Sequence, residues 1–428
     1  MPRPSFPPRR ASRPGHPRHR SILGRCLAGS ALAATMLAAC GGGGDTVEAD
    51  GSTTTMSVAD TDGTVSGDGT EGTVSGDGTG SDEGTAAVDA EGFDVTALVD
   101  GVPRVALEPG WALTVTDYER LGEIAGVSAP TGDPSAEELT RWWLVVLGGI
   151  DNPETGEPPP IAVVAPQALS TADPRTRSEL GFDVAEVSSS ADVTAPPMAF
   201  TVLTGDFDPD AATGLVDLGD GIMTWGDGED FLVDVQNGDP LISPLGTPVR
   251  VGRRGDEIAL SSSTPAVRAW LDGDETALAE PGVADFARIM DGFGPVTAGL
   301  YMTAPHSLAV EANLMGGDPP EGVEPYVLEH GPGLVGYGVD VADSTRTAVI
   351  TYHFDSAGDA AAAAPVIGDW LTEGLSSRTG MAFDEFFTVS EVQAEDAVVV
   401  VHLELAPDAP PTIPHQMILS LDIVPFTP

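Results

Sequence analysis

The sequence predicts an α+β fold, with helices packed on mixed or antiparallel sheet, and three observations predict it. Strand-like and helix-like segments alternate through about 330 residues from Val95 onward, enough chain for one large or two ordinary domains. Two neighbouring pairs of strand-like runs are joined by turn-forming residues and read as hairpins, which pair antiparallel. Several helical runs carry their own start signals, a capping side chain followed by proline.

Taken in order, Trp111 to Thr116 reads as a strand, and an amphipathic helix follows near Asp117 to Ala125. Asp133-Pro134 reads as a cap and first turn, leading into an apolar helix through Trp142, Trp143, Val146 and Leu147. Ala199 to Thr204 is a strand, and Asp208-Pro209 opens a further helix. Val249 to Arg253 and Glu257 to Ser262 flank Arg254-Gly255-Asp256, which reads as a hairpin turn rather than an adhesion tripeptide. Thr264-Pro265 starts a helix carrying Trp270, and Val283 to Met290 supplies another. Val296 to Met302 is a strand, and Leu334 to Val341 with Arg346 to Phe354 form a hairpin turning at Asp343-Ser344. Ser356 to Leu375 is an alanine-rich helix kinked or restarted at Pro365. The valines of Ala397 to Leu405 mark a buried strand, whereas Met417 to Phe426 fits either strand or helix.

Val202 to Asp208 and Val349 to Asp355 share four identities and a Leu/Ile exchange at an offset of 147 residues. Each is expected to end a strand on an aspartate that caps the next helix. Two degenerate α+β halves, 95–294 and 295–428, follow from that match.

All seven arginines from Arg3 to Arg25 precede an acid-free apolar run, Cys26 to Ala39, too short to span a bilayer as a mature helix. Residues 1–39 are therefore read as a signal peptide. Its last residues and the next one, Leu37-Ala38-Ala39-Cys40, resemble the lipobox of bacterial lipoproteins. The resemblance implies that the Cys40 thiol is alkylated by diacylglycerol and that cleavage makes Cys40 the first mature residue. With its acyl chains, palmitate among them, the protein would sit on the extracytoplasmic face of the cell membrane. No later run of eighteen apolar residues offers a membrane span. Cys26 leaves with the leader and Cys40 is consumed by lipid, so cysteine chemistry is excluded from the mature fold.

Residues 40–94 are Gly, Ser, Thr, Asp and Glu with few large apolar groups, and Gly-Thr-Val-Ser-Gly-Asp-Gly-Thr occurs at both 63–70 and 72–79. Such a segment cannot bury a core and is expected to be a disordered tether. Its Asp-Gly pairs complete no calcium loop.

The chain carries 66 acids against 19 arginines and no lysine; without the seven leader arginines the net charge is −54. That field repels phosphate, so nucleic-acid binding is excluded, and the lack of lysine removes Schiff-base chemistry and the phosphate-loop lysine. Of the histidines beyond the leader, His306, His330, His353, His402 and His415, none stands at ligand spacing with another. His353 and Asp355 could share a strand face, but a capping role for Asp355 accounts for it, and His402 reads as a hydrogen-bonded core residue. Asp206, Asp208, Asp210 and Asp217 approach a calcium-loop count with Ala211 where glycine is required. Gly331, Gly333 and Gly336 have dinucleotide-loop spacing but lead into a strand rather than a helix. No catalytic, metal or cofactor site is assigned, and the lipidation residue Cys40 is the single functional position.

Leader, low-complexity tether and lysine-free α+β domain together resemble uncharacterised lipoproteins of high-GC Gram-positive bacteria. That resemblance implies a membrane-anchored, non-enzymatic binding or structural module. A solute-binding lipoprotein of a transporter is the first alternative and an envelope hydrolase the second. The former calls for a cleft with convergent polar groups, the latter for paired carboxylates or a Ser/His pair within hydrogen-bond reach.

Overall fold

Twelve strands pair edge to edge in one antiparallel sheet in the computed structural model. The described residues are 93–428 apart from 133, 171, 209, 240–241, 244, 304–306, 308–325, 343–344 and 377–378. The leader, Cys40, the tether through residue 92, Asp133, Pro209, His306 and Asp343-Ser344 lie outside the described residues.

The chain runs α1 (Val95–Asp100), β1 (Ala112–Asp117), α2 (Tyr118–Ile124), α3 (Ala136–Val146), α4 (Arg175–Glu179), β2 (Val187–Ala195) and β3 (Met198–Gly205). It continues through β4 (Val216–Gly219), β5 (Ile222–Trp225), β6 (Val249–Arg254), β7 (Glu257–Ser261), α5 (Thr264–Asp272) and α6 (Val283–Phe293). The remainder is β8 (Thr297–Met302), β9 (Leu334–Ala342), β10 (Thr345–His353), α7 (Ala357–Glu373), β11 (Phe387–Glu395), β12 (Val398–Leu405) and α8 (His415–Leu419). The sheet order is β11-β12-β10-β9-β8-β1-β2-β3-β7-β6-β5-β4.

Helices cover both faces, which makes a three-layer sandwich. On one face α1, α5 and α6 bury Val95, Val99, Val267, Trp270, Phe286 and Met290 against the strands. On the other, α2, α3, α7 and α8 bring Leu121, Trp143, Ile367, Trp370 and Ile418. The strand order has an internal correspondence. A meander, β1-β2-β3, is flanked by the hairpin β7-β6, and the meander β8-β9-β10 is flanked likewise by β12-β11, the two meeting at the β1–β8 pair. The matched segments close β3 and β10, the corresponding strands, with Leu203 and Ile350 both facing the α3/α7 side and Val202 and Val349 both facing the α6 side. Carried through the strand registers, the match sets Val115 opposite Ala298, as a two-fold axis between the meanders requires.

The helix half of that match is corrected. No helix follows Asp208 among the described residues; its carboxylate accepts from the Asp210 amide in a local turn, 3.0 Å away. α7 does follow Asp355, but its cap is Ser356, whose hydroxyl accepts from the Asp359 amide. Serine also caps α3: Ser135 and Glu138 form a reciprocal capping box, two residues beyond the aspartate expected to do so. α7 runs through Pro365 as one helix of 17 residues. His402 is half-buried, its ring edge-on to Phe293, rather than a core residue. The Arg254-Gly255-Asp256 hairpin turn holds, with Gly255 at φ 62°. Met417 to Phe426 resolves as the end of α8 and an irregular C-terminal stretch, no part of the sheet.

Candidate functional site

Alternation gives each central strand two faces, and in β1, β2, β3 and β8 these differ in chemistry. Toward α1, α5 and α6 the strands present Leu113, Val115, Ala191, Val193, Phe200, Val202, Ala298 and Leu300, each at most 1% exposed. Toward the other layer the same strands present Ala112, Thr114, Thr116, Ser190, Asp192, Thr194, Thr201, Thr297, Gly299 and Tyr301. Of these, Ala112, Thr114, Thr194 and Tyr301 are half-buried. On this side α2 lays Tyr118 over Ser190, so the opening is confined to the strand ends at Ala112, Thr114, Thr194 and Tyr301, a polar, half-open notch where the two meanders meet.

Register fixes its geometry. Thr201, Asp192, Thr114, Gly299 and Tyr337 are successive cross-strand partners along one line over β3, β2, β1, β8 and β9, about 4.8 Å per strand. Asp192, 9% exposed, accepts from the Thr201 hydroxyl at 2.5 Å and the Thr194 hydroxyl at 3.2 Å. Burial raises its carboxyl to about 6, the two hydroxyls pulling it back only in part. Tyr118, the first residue of α2, lays its hydroxyl 3.0 Å from Ser190 Oγ beside it, and burial pushes that phenol above its usual range. On the next strand pair the Thr116 and Thr297 hydroxyls meet at 3.1 Å.

The opposite wall is aromatic. Tyr301 and Tyr337 stack with centroids 6.2 Å apart and planes 16° apart, and the His415 ring stands edge-on to both. Tyr337 Oη lies 2.7 Å and Tyr301 Oη 3.3 Å from His415 Nδ1. The other ring nitrogen, Nε2, is buried without a hydrogen-bond partner. Part of His415 reaches the surface, but its ring nitrogens are enclosed, and burial drops the imidazole to about 4. Gly299 makes this wall possible: a Cβ there would lie 2.6 Å from Tyr337 Cε1 and 3.1 Å from Tyr301 Oη. A cavity of about 10 Å³ between Thr297, Tyr337, Val339, His415 and the Pro411–Pro414 stretch has room for a water at most. The larger hollow, about 480 Å³ over Ala136, Thr140, Leu144 and Ile150, is a shallow surface whose charged groups, Glu137 and Arg141, pair with each other at 2.7 Å.

The residues weighed from the sequence fall elsewhere. His353 is buried on β10 with Nε2 3.1 Å from the Thr351 hydroxyl, while Asp355 is exposed, so the two do not form a site. Asp217 accepts from the Gly219 amide on the sheet edge, apart from Asp208. Gly336 lies within β9, as the strand reading of that glycine loop requires. Among the described residues no group of three His, Cys, Asp or Glu side chains could hold a metal. Asp192, Tyr301 and Tyr337 escaped the sequence reading; a period-two alternation through Ser190, Asp192 and Thr194 against Ala191, Val193 and Ala195 was the available signal.

In the notch Ser190 bonds a tyrosine and the Asp192 carboxyl bonds two threonines. No protein-family model and no curated protein matches the chain. Among solved structures, crystal form I of TP0453 aligns with a TM-score of 0.32 and 7% identity over 72% of this chain and 92% of that one, a likeness too slight to inform the site.

Proposed function

We propose that this protein is a lipoprotein of the cell envelope, anchored through Cys40 on the extracytoplasmic face, whose sheet domain is a non-enzymatic binding module. The binding reading is carried by one observation, the polar half-open centre of a sheet face that is otherwise covered by apolar packing. A two-sided helical sandwich ordinarily fills such a centre with aliphatic side chains, and a row of hydroxyls with a buried carboxyl stabilises the fold less than they would. The address rests on the leader and on Leu37 to Cys40. Residues 40–94 would then hold the domain off the membrane; about fifty flexible residues give a root-mean-square reach of roughly 40 Å, lengthened by the repulsion of their acids. The solute-binding alternative draws on the same notch, which lies where the two meanders join.

Expression of the full chain in a bacterial host with labelled palmitate tests the anchor. Label on the protein and its recovery in the membrane fraction, both lost in Cys40→Ala, is the expected result. An unlabelled, fully released wild-type protein would refute it.

A further inference from the structure

We propose that the notch over β1, β2 and β8 binds a small organic cation, its ammonium group on the Asp192 carboxylate and its apolar body against the Tyr301 ring. The inference rests on the reading of the domain as a binding module and names the class of ligand.

Asp192 is nearly buried and takes part in no ion pair among the described residues. The chain has no lysine to offer it. Arg104, Arg120, Arg141, Arg175, Arg177, Arg250, Arg254, Arg268 and Arg288 pair with other carboxylates. Arg253 and Arg346 are spent on backbone carbonyls of Gly181 and of Pro407 and Ala409. Among the described residues no basic side chain faces it, and two hydroxyls soften the burial of the carboxylate without neutralising it, so an added countercharge gains both Coulomb energy and hydrogen bonds there.

The surroundings select the kind of cation. A calcium ion takes six to eight oxygens, more than one carboxylate with threonine hydroxyls supplies, and a magnesium ion keeps several waters, which a carboxyl 9% exposed does not readily admit. A neutral polyol would satisfy the hydroxyls and leave the charge uncompensated. An ammonium has three donors, matching the Asp192 oxygens and the half-exposed Thr114 hydroxyl next in line. Thr114 pairs across the strands with Gly299, whose lack of a side chain lets the Tyr301 and Tyr337 rings close over it, so the tyrosine wall stands directly beside the Thr114 hydroxyl. The face of a tyrosine attracts a cation and the alkyl groups attached to it. Burial first, then the neighbouring Tyr337, raise the phenol of Tyr301, and the Asp192 charge adds to them in the same direction. A net charge of −54 beyond the leader enriches cations near the domain before any specific contact forms.

Isothermal titration calorimetry of the lipid-free full-length domain with its tether tests this, using phenethylammonium and the smaller propylammonium as probes and 2-phenylethanol as the uncharged counterpart. The expected result is saturable one-to-one binding of at least one ammonium and none of the alcohol. Affinity should fall at least tenfold in Asp192→Asn, which keeps the shape and the Thr201 contact, and several-fold in Tyr301→Leu. Asp272→Asn, a surface acid, should bind as the wild type does. Absence of saturable binding by either ammonium overturns the proposal, as does equal affinity for the alcohol or undiminished binding in Asp192→Asn. An equal loss in Asp272→Asn would reduce the effect to the ion atmosphere and also overturn it. Anchoring is read separately on Cys40, so its failure and the failure of this site are distinguishable.

Discussion

The two faces of the central strands are made of alternate residues in the same few segments, yet one is sealed and the other is not. Leu113, Val115, Ala298 and Leu300 point into a closed apolar layer, whereas Ala112, Thr114, Gly299 and Tyr301 point into a polar notch. The difference shows which face holds the sheet together and which is free to serve another purpose. Burial of apolar area stabilises at about 25 cal/mol per Å², so the sealed face contributes most where the helices α1 and α6 press on it. The notch contributes little and is under correspondingly less constraint to be apolar.

The largest expected effect comes from breaking the sealed face. Leu113→Ala should lower the unfolding free energy by about 2–5 kcal/mol, because the cavity lies between strands and helix and cannot collapse. Urea denaturation gives the value; a loss below about 1 kcal/mol would mean that this face is not the main core.

Titration sharpens the comparison, since each face hides a group with the opposite pH response. His353 faces the sealed side, beside Gly282 at the start of α6, and burial lowers its imidazole to about 4. Its folded value lies below the ordinary 6.5, so the unfolded chain takes the proton first and stability is lost as pH falls from about 6.5 toward 4. The loss should reach a few kcal/mol at most and be reduced in His353→Gln, as measured by denaturation at pH 7.5 and 4.5. An unchanged difference between these two pH values in the variant would place the acid sensitivity elsewhere.

Asp192 behaves in reverse on the open face. Its folded value, about 6, lies above the ordinary 3.8, so the native state holds a proton that the unfolded state has released. Stability from this group is present in full below about 4 and is lost as pH rises through about 6. Asp192→Asn should therefore gain up to about 3 kcal/mol over the wild type at pH 8 and nearly nothing at pH 4. A variant that is less stable at pH 8 would show the carboxylate to be compensated.

The strands of the sealed face were legible because valine and leucine announce them, as at β1, β8 and β12. β2 was not, because Ser188, Ser189, Ser190 and Asp192 have low strand propensity and only the alternating small apolar residues mark it. Two helix starts were visible but displaced, since Ser135 and Ser356 take the capping amides of α3 and α7, while Asp208 accepts within a local turn instead of opening a helix. The notch itself was hidden for a different reason. Asp192, Thr114, Gly299 and Tyr337 are brought into line by pairings across more than a hundred residues in places, and no local pattern encodes such a register. The match between β3 and β10 was legible as sequence, and its meaning proved to be corresponding strand positions rather than corresponding helix starts.

The smallest effect tests the comparison most finely, because it uses one change on one strand at two depths. Thr116 and Thr114 lie two residues apart on β1 and face the same side, but Thr116 is 3% exposed with its hydroxyl against Thr297, and Thr114 is half-buried. Replacing a buried, bonded hydroxyl by methyl removes that bond while Thr297 keeps its bond to the Val115 carbonyl, so Thr116→Val should cost about 1 kcal/mol. Replacing one that faces water removes little and adds a β-branched apolar group in a strand, so Thr114→Val should change stability by less than about 0.5 kcal/mol. Denaturation of both variants in the same buffer gives the two values directly. If Thr114→Val costs as much as Thr116→Val, the centre of this face is closed, and the notch is simply a polar part of the core.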